Sequence, residues 1–339
     1  MTTPVLICDD SSVARKQMAK SLPRDWDIEI SFAKHGGEAI ELIKQGKGDI
    51  LFLDLNMPVM DGYETLAVIS KEDLPSIVVV VSGDIQPDAR KRVMQLGAAD
   101  FIRKPIGTDE LAEILQRLGI LGPEAERPAA APALTPKMLE KSGKTSELDA
   151  YQEIANVAMG QAADLLARLL DVFILLPVPQ VNLLEQSELR MALQATQDKD
   201  SYSAVCQGFI GSGIAGEALL LFHDASFSDL ARLMKYEGEL NTLGELELLM
   251  DTASILIGAC TKGIAEQMDI SFSQGHPQVL GQHVDVSQLM ENNQWNWERM
   301  LAIEIAYKVE NHNIQCDLLL MFTEDSLPVM RDKVAYLIE

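Results

Sequence analysis

This chain of 339 residues has few aromatic residues (5%), only four cysteines, and little positive charge: 28 basic groups against 51 acidic ones, a formal net charge of -23. Each scarcity excludes something. The cysteines (Cys8, Cys206, Cys260, Cys316) lie far apart with no CxxC pair, which argues against a disulfide scaffold or a zinc ribbon and for reduced core thiols. The five histidines (His35, His223, His276, His283, His312) show no ligand spacing, and no HExxH-type motif occurs. No uncharged apolar run reaches the ~18 residues of a membrane span, and Asp9-Asp10 closes the first ten residues where a signal peptide would stay apolar. A cytoplasmic location is the expectation. The shortage of basic groups is uneven. Residues 1–120 carry 14 basic and 19 acidic groups, 121–147 carry 4 and 4, and 148–339 carry 10 and 28. A nucleic-acid partner needs a basic face to release counterions, and an anionic membrane needs the same. Both are excluded as expectations, whereas a partner with a basic rim is favoured by long-range steering. The hydrophobic share of 47% is that of a folded protein.

What is present divides at a linker. Residues 121–145, LGPEAERPAAAPALTPKMLEKSGKT, hold Pro123, Pro128, Pro132 and Pro136 among alanines, a semi-stiff connector without regular structure. Before it, PVLIC (4–8), DIEISFA (27–33), DILFLD (49–54), SIVVVVS (76–82) and ADFIRK (99–104) read as strands. Several are nearly continuous Val/Ile runs, as in strands buried on both faces. Helical patterns lie near 11–22, 36–46, 61–71, 86–96 and 107–119, so residues 1–120 read as an α/β doubly wound, five-stranded parallel sheet.

Function in such a sheet lies at the carboxyl ends of the strands. Strand one ends in Asp9-Asp10, strand three in Asp54, strand four in Ser82 and strand five in Lys104-Pro105. A lone acidic pair is commonly a helix cap and a lone Lys-Pro a turn, but these residues fall together at one sheet edge. Three carboxylates there repel unless a cation joins them, and hard oxygen ligands suit Mg²⁺. Asp54 is then a nucleophile for a phosphoryl group, with Lys104 and the Ser82 hydroxyl to hold its oxygens. In this order the residues resemble the receiver domain of bacterial response regulators, CheY-like, across 1–120: Asp9-Asp10, Asp54 in LFLDLNMPVMDG, Ser82, and Lys104-Pro105 in GAADFIRKP. The resemblance implies Asp54 as phosphoacceptor. It implies Asp10, Asp54 and the Asn56 backbone carbonyl as Mg²⁺ ligands, with Asp9 acting through water, and Ser82 and Phe101 as switch residues. Phosphorylation would draw the Ser82 hydroxyl inward and turn the Phe101 ring in. A histidine kinase would be the phosphodonor, and the bond before Pro105 is commonly cis in this family.

Residues 146–339 repeat themselves. EIANVAMG (153–160) aligns with DTASILIG (251–258) at an offset of 98, and PQV at 179–181 recurs at 277–279. Each half, about 146–240 and 241–339, runs through a long helix (about 147–171 and 243–267), a strand after the shared proline, and a hairpin. The hairpins are 202–211 with 215–223 and 299–308 with 313–322, and short helices close the halves near 226–236 and 325–337. Alternation in MLAIEIAYKV marks strands with one wet face. An α+β domain with an internal pseudo-two-fold repeat follows. The recurrence of Gly160 as Gly258 predicts close approach of the two long helices there.

In the first long helix Asp149, Glu153, Asn156 and Gly160 fall at i, i+4, i+7 and i+11, on one face, and Pro179 follows Asn156 by 23 residues. This spacing resembles the active-site motif of the CheC/CheX/FliY phosphatases of bacterial chemotaxis, which hydrolyse the aspartyl phosphate of a receiver. An aspartyl phosphate is already activated, so a phosphatase needs only to place a water in line with the leaving oxygen. The Asn156 carboxamide is suited to that. Glu153, one turn away, is suited to pairing with the lysine of the substrate's site. Asp149 either orients this face or, with Ser146 as N-cap, completes a capping box. In the second half the positions read Glu247, Asp251, Ser254 and Pro277. The shortened acid and the hydroxyl mark Asp251 and Ser254 as a degenerate second site. Trp295 and Trp297 read as packing residues on a loop or strand edge, and GSGIAG (211–216), inside a hairpin, as a turn and not a nucleotide loop.

The expectation is a response regulator whose output domain, 146–339, is a phosphatase for a phosphorylated CheY-like receiver, under control of Asp54 phosphorylation. Two alternatives stand beside it: an autophosphatase acting on its own receiver in cis, and a catalytically silent adaptor binding a receiver or motor component. Receivers and single-site relatives of the phosphatase dimerise, so the resemblance also admits a homodimer.

Overall fold

The computed structural model describes residues 2–23, 25–121, 146–188, 191, 201–285, 289 and 298–338; most of the expected linker (122–145) and both Trp295 and Trp297 lie outside them. The chain forms two compact units, Met1–Glu153 with Leu337–Glu339 and Ile154–Tyr336. The division falls within a helix.

In the first unit the elements are β1 (Thr3–Cys8), α1 (Ser12–Ser21), β2 (Ile28–Ala33), α2 (Gly36–Lys44), β3 (Ile50–Leu53), α3 (Gly62–Lys71), β4 (Ile77–Ser82), α4 (Pro87–Gln95), β5 (Asp100–Arg103) and α5 (Thr108–Arg117). The strands pair in the order β2-β1-β3-β4-β5, all parallel. Their period of two splits each apolar run between two cores. Leu6, Cys8, Leu51, Leu53, Val78 and Val80 face one way, and Val5, Ile7, Phe52, Val79, Val81 and Ile102 the other. Capping fixes where helices begin: the Ser11 side chain accepts from Ala14 N for α1, and Asp61 with Glu64 forms a capping box for α3. The order reverses between β1 and β3, and their carboxyl ends carry the acidic residues.

A long helix α6 (Glu147–Leu170) opens the remaining chain. It leads to β6 (Ile174–Leu175), β7 (Gln180–Glu185), the hairpin β8 (Tyr202–Gly211) and β9 (Ile214–His223), a 3₁₀ turn, and α7 (Phe227–Leu233). The same order then recurs as α8 (Thr242–Gln267), β10 (Ser273–Gln274), β11 (Gln278–Val284), β12 (Arg299–Val309), β13 (Gln315–Thr323), a 3₁₀ turn and α9 (Leu327–Ile338). One mainly antiparallel sheet contains all these strands, along the path β10-β8-β9-β13-β12-β6. Its edges are exchanged: β7 pairs with β12 of the later hairpin, and β11 with β8 of the earlier one. Local patterning cannot report such pairing. GSGIAG is the turn of the first hairpin, with Ser212 at φ 53° and Gly213 at φ 81°. Helix α8 is long and apolar enough to cross a membrane, but 67% of its most apolar window is buried within the fold, as in a core helix.

The expected close approach at Gly258 is not found, since a β-carbon there would meet nothing within 4 Å. It occurs at Gly263, where a β-carbon would stand 2.8 Å from the α-carbon of Ala158 in α6. Alignment of the two halves pointed to the glycine that is shared, whereas contact is set by where the helices cross. Phe322 is buried at 1% exposure and meets Phe209 edge-on, with ring centroids 5.3 Å apart. Phe322→Ala is expected to lower stability by about 3–5 kcal/mol, measured as the denaturation midpoint of the second unit.

Candidate functional site

The carboxyl ends of β1 and β3 bring Asp9, Asp10 and Asp54 together, with one carboxylate oxygen of each within 4.8 Å of the others. The backbone around them is tightly held. Asp54 N donates to Cys8 O at 2.9 Å. The buried Arg15 guanidinium donates to the carbonyls of Asp9 (2.6 Å) and Asp10 (3.0 Å), fixing the acidic pair from α1. Ser11 N donates to Asp9 Oδ1 at 2.8 Å and Asn56 N to Asp54 Oδ2 at 3.0 Å. Gly62 packs beneath this edge, where a β-carbon would fall 2.8 Å from the Leu55 α-carbon and against the Asp54 carbonyl. Sequence reasoning missed Arg15, because a basic residue in an amphipathic helix gives no sign that it turns inward.

Lys104 follows β5, before the cis Lys104-Pro105 bond. Its Nζ lies 2.7 Å from Asp9 Oδ2, 3.2 Å from Asp54 Oδ1 and 3.2 Å from Glu153 Oε1. The Ser82 side chain is buried and accepts from Asp84 N at 3.1 Å. The Phe101 ring is buried, packed in the core shared with Val93 and Ala98.

Burial pushes Asp54 well above the usual carboxylate range, although the Lys104 ammonium opposes it. Burial and then Asp9 raise Asp10 to about 7. Burial alone would lower Lys104, but Asp54, Asp9 and Glu153 override it and hold its ammonium above the ordinary lysine range. Negative charge is therefore in excess. This excess, the three converging oxygens and the buried, unpaired Asp10 Oδ1 fit a hard divalent cation. Mg²⁺ is expected to raise the thermal midpoint of the whole chain, stabilisation growing as RT ln(1 + [Mg²⁺]/Kd). Asp10→Asn should flatten that response, and a wild-type midpoint insensitive to Mg²⁺ would contradict the fit.

The opening turns of α6 belong to this first unit. Ser146 and Asp149 form a reciprocal capping box, Asp149 N to Ser146 Oγ at 3.1 Å and Ser146 N to Asp149 Oδ2 at 3.1 Å. The same Asp149 oxygen accepts from Ser12 Oγ at 2.9 Å. Gln152 Nε2 donates to Asp10 Oδ2 at 3.4 Å. Glu153, 5% exposed, ion-pairs with Lys104 and closes a cavity of about 20 Å³ shared with Asp9 and Asp54. These contacts place the unit boundary inside the helix.

In the second unit Asn156 is 4% exposed and its Oδ1 makes no hydrogen bond. The equivalent region of α8 differs. The exposed Ser254 donates its hydroxyl to Met250 O at 2.8 Å, and Glu247 accepts from Tyr236 at 3.1 Å.

The family pattern of the response regulator receiver domain matches residues 5–116. The N-terminal region is a response regulator receiver domain. A protein-glutamate methylesterase/protein-glutamine glutaminase of Bacillus licheniformis is 40% identical over 107 residues, covering 31% of this chain and 30% of the relative. A response regulatory protein of Shewanella oneidensis is 33% identical over 136 residues, covering 40% and 55%. The chain thus spans between 30% and 55% of the length of these curated relatives. Among solved structures, the response regulator domain of Thermotoga maritima CheB is 30% identical with a TM-score of 0.32, over 36% of this chain and 100% of that one. Thermotoga maritima FliY gives a TM-score of 0.44 at 19% identity, over 60% of this chain and 99% of that one.

Proposed function

We propose that this response regulator's second region is a phosphatase for the aspartyl phosphate of a separate receiver. The observation that carries the reading is the Glu153–Lys104 ion pair, 3.2 Å between buried groups. The α6 face bearing Glu153 is chemically complementary to the lysine of a receiver phosphorylation site, and here it already holds one. Asn156 follows one turn on, with a buried and unpaired carboxamide oxygen. A buried polar atom without a partner is costly and calls for a ligand or a water.

In the proposed chemistry Glu153 grips the substrate's lysine and aligns the helix. Asn156 orients a water in line with the phosphorus–oxygen bond of the aspartyl phosphate. The water oxygen bonds to phosphorus as the bond to the carboxyl oxygen breaks. The aspartate leaves as carboxylate, and both protons of the water depart with inorganic phosphate, as dihydrogen phosphate. Asp149, which caps the helix, fixes its start. Asp251 and Ser254 supply no second copy of this chemistry, because the Ser254 hydroxyl is spent on its own helix.

In the receiver itself Asp54 is assigned as phosphoacceptor, since receiver domains accept phosphoryl groups from histidine kinases. Lys104 and Ser82 would hold the phosphoryl oxygens. Asp10, Asp54 and the Asn56 carbonyl would hold Mg²⁺, with Asp9 acting through water. Bound there, Mg²⁺ neutralises charge on the phosphoryl oxygens. The test is the half-life of phosphorylated single-domain receivers with and without the full chain. Shortened half-lives support the assignment, and equal decay rejects it.

A further inference from the structure

The Lys104 ammonium lies among three carboxylates, Asp9, Asp54 and Glu153, at 2.7, 3.2 and 3.2 Å. It donates to Asp9 and ion-pairs with the other two. Two of those partners belong to the receiver's own strand ends. The third comes from α6, and it does not come alone: Asp149 meets Ser12 and Gln152 meets Asp10. Three residues spaced over one turn of helix contact the two loops that frame the acidic cluster. Glu153 retains one oxygen without a partner, although the group is nearly fully buried.

We propose that the chain's own receiver site is a self-ligand for the opening turn of α6, holding Glu153 on Lys104 and masking it from other receivers. The inference rests on the assignment of Glu153 as the residue that grips a substrate's lysine. The Glu153 oxygen that does not face Lys104 is itself buried, so a second lysine cannot reach the carboxylate while the self-contact is made. A separate receiver must therefore displace Lys104 before it can dock. The self-contact has the advantage of being intramolecular, and tethered partners commonly face each other at effective concentrations near the millimolar range. Regulation would then act on the self-contact: anything that loosens Lys104, Ser12 or Asp10 from the helix turn makes Glu153 available.

The experiment uses the full chain and two changes on the receiver side, so that the output helix keeps its sequence. Lys104→Gln removes the ammonium. Ser12→Trp leaves it and places bulk against Asp149, which covers the case in which Lys104→Gln fails to fold. The probe is a set of single-domain receivers loaded with beryllofluoride and Mg²⁺, which mimic the phosphoryl group without being hydrolysed. Both variants are expected to bind the loaded receivers about tenfold more tightly than wild type, and the amides of 147–153 should exchange hydrogen faster in both. Unchanged affinity together with unchanged exchange would overturn the self-ligand. Faster exchange with no receiver bound by any form would uphold the self-contact and reject the phosphatase assignment instead.

Discussion

Asn156→Ala is expected to abolish the acceleration of receiver dephosphorylation, by on the order of 100-fold, while leaving the fold intact. The size follows from what the residue is asked to do. The substrate aspartate is a good leaving group, and the substrate's own site supplies metal and lysine, so water placement is most of what remains. Alanine removes the carboxamide one turn beyond Glu153. Little stability should be lost with it. The Asn156 oxygen is buried and unpaired, so truncation removes a desolvated polar atom and not a hydrogen bond. The change should act on kcat, with KM nearly constant, because the proposed chemistry assigns the grip to Glu153. A rise in KM at constant kcat would reassign Asn156 to docking. Loss of activity in the equivalent position of the second half, Ser254→Ala, is not expected, as that hydroxyl is occupied by Met250 O.

Asp54→Asn is expected to eliminate phosphoryl incorporation from a small-molecule acyl phosphate, since the amide lacks the nucleophilic oxygen. In metal-free buffer the same change should raise stability. Asp54 is 2% exposed and shares one lysine with Asp9 and Glu153, while Asp10 stands close by. Burial pushes its carboxyl up and the neighbouring acids reinforce that. A neutral isostere there relieves the repulsion among the crowded acids, so Tm is expected to rise. Lys104 keeps Asp9 and Glu153 as partners. A fall in Tm would show that the Asp54–Lys104 pair outweighs the crowding of acids.

The receiver was legible because its signals are local. Uninterrupted Val/Ile runs fix the strands to within a residue or two; the acids and the lysine follow strands directly and the serine closes one. The helices and hairpins of the second unit were legible for the same reason. What escaped depends on partners distant in sequence. The exchanged edge strands β7 and β11 pair with hairpins of the other half. The two-residue strands β6 and β10 are too short to carry a pattern. His283, at φ 53°, lies 2.9 Å from both Asp224 and Glu245, tying β11 to two other elements. The Asp224 hydrogen bond raises its pKa. No ligand-like spacing announces that bridge. At the site, Glu153 was legible as a carboxylate suited to a receiver's lysine. That the lysine is Lys104 of the same chain was open only as the cis alternative, because the two lie 49 positions apart across a proline-rich segment.

The central claim, that the chain hydrolyses another receiver's aspartyl phosphate through the Glu153–Asn156 face, is tested most directly by inorganic phosphate release. Single-domain receivers are phosphorylated, freed of donor, and mixed with full-length wild type or Asn156→Ala in parallel, at low and moderate salt. The account predicts accelerated release by wild type for at least one receiver and none by Asn156→Ala. It also predicts weakening by salt, because the second region's acidity steers a basic-rimmed partner. Release at the spontaneous rate from every receiver, or equal acceleration by both proteins, would contradict it.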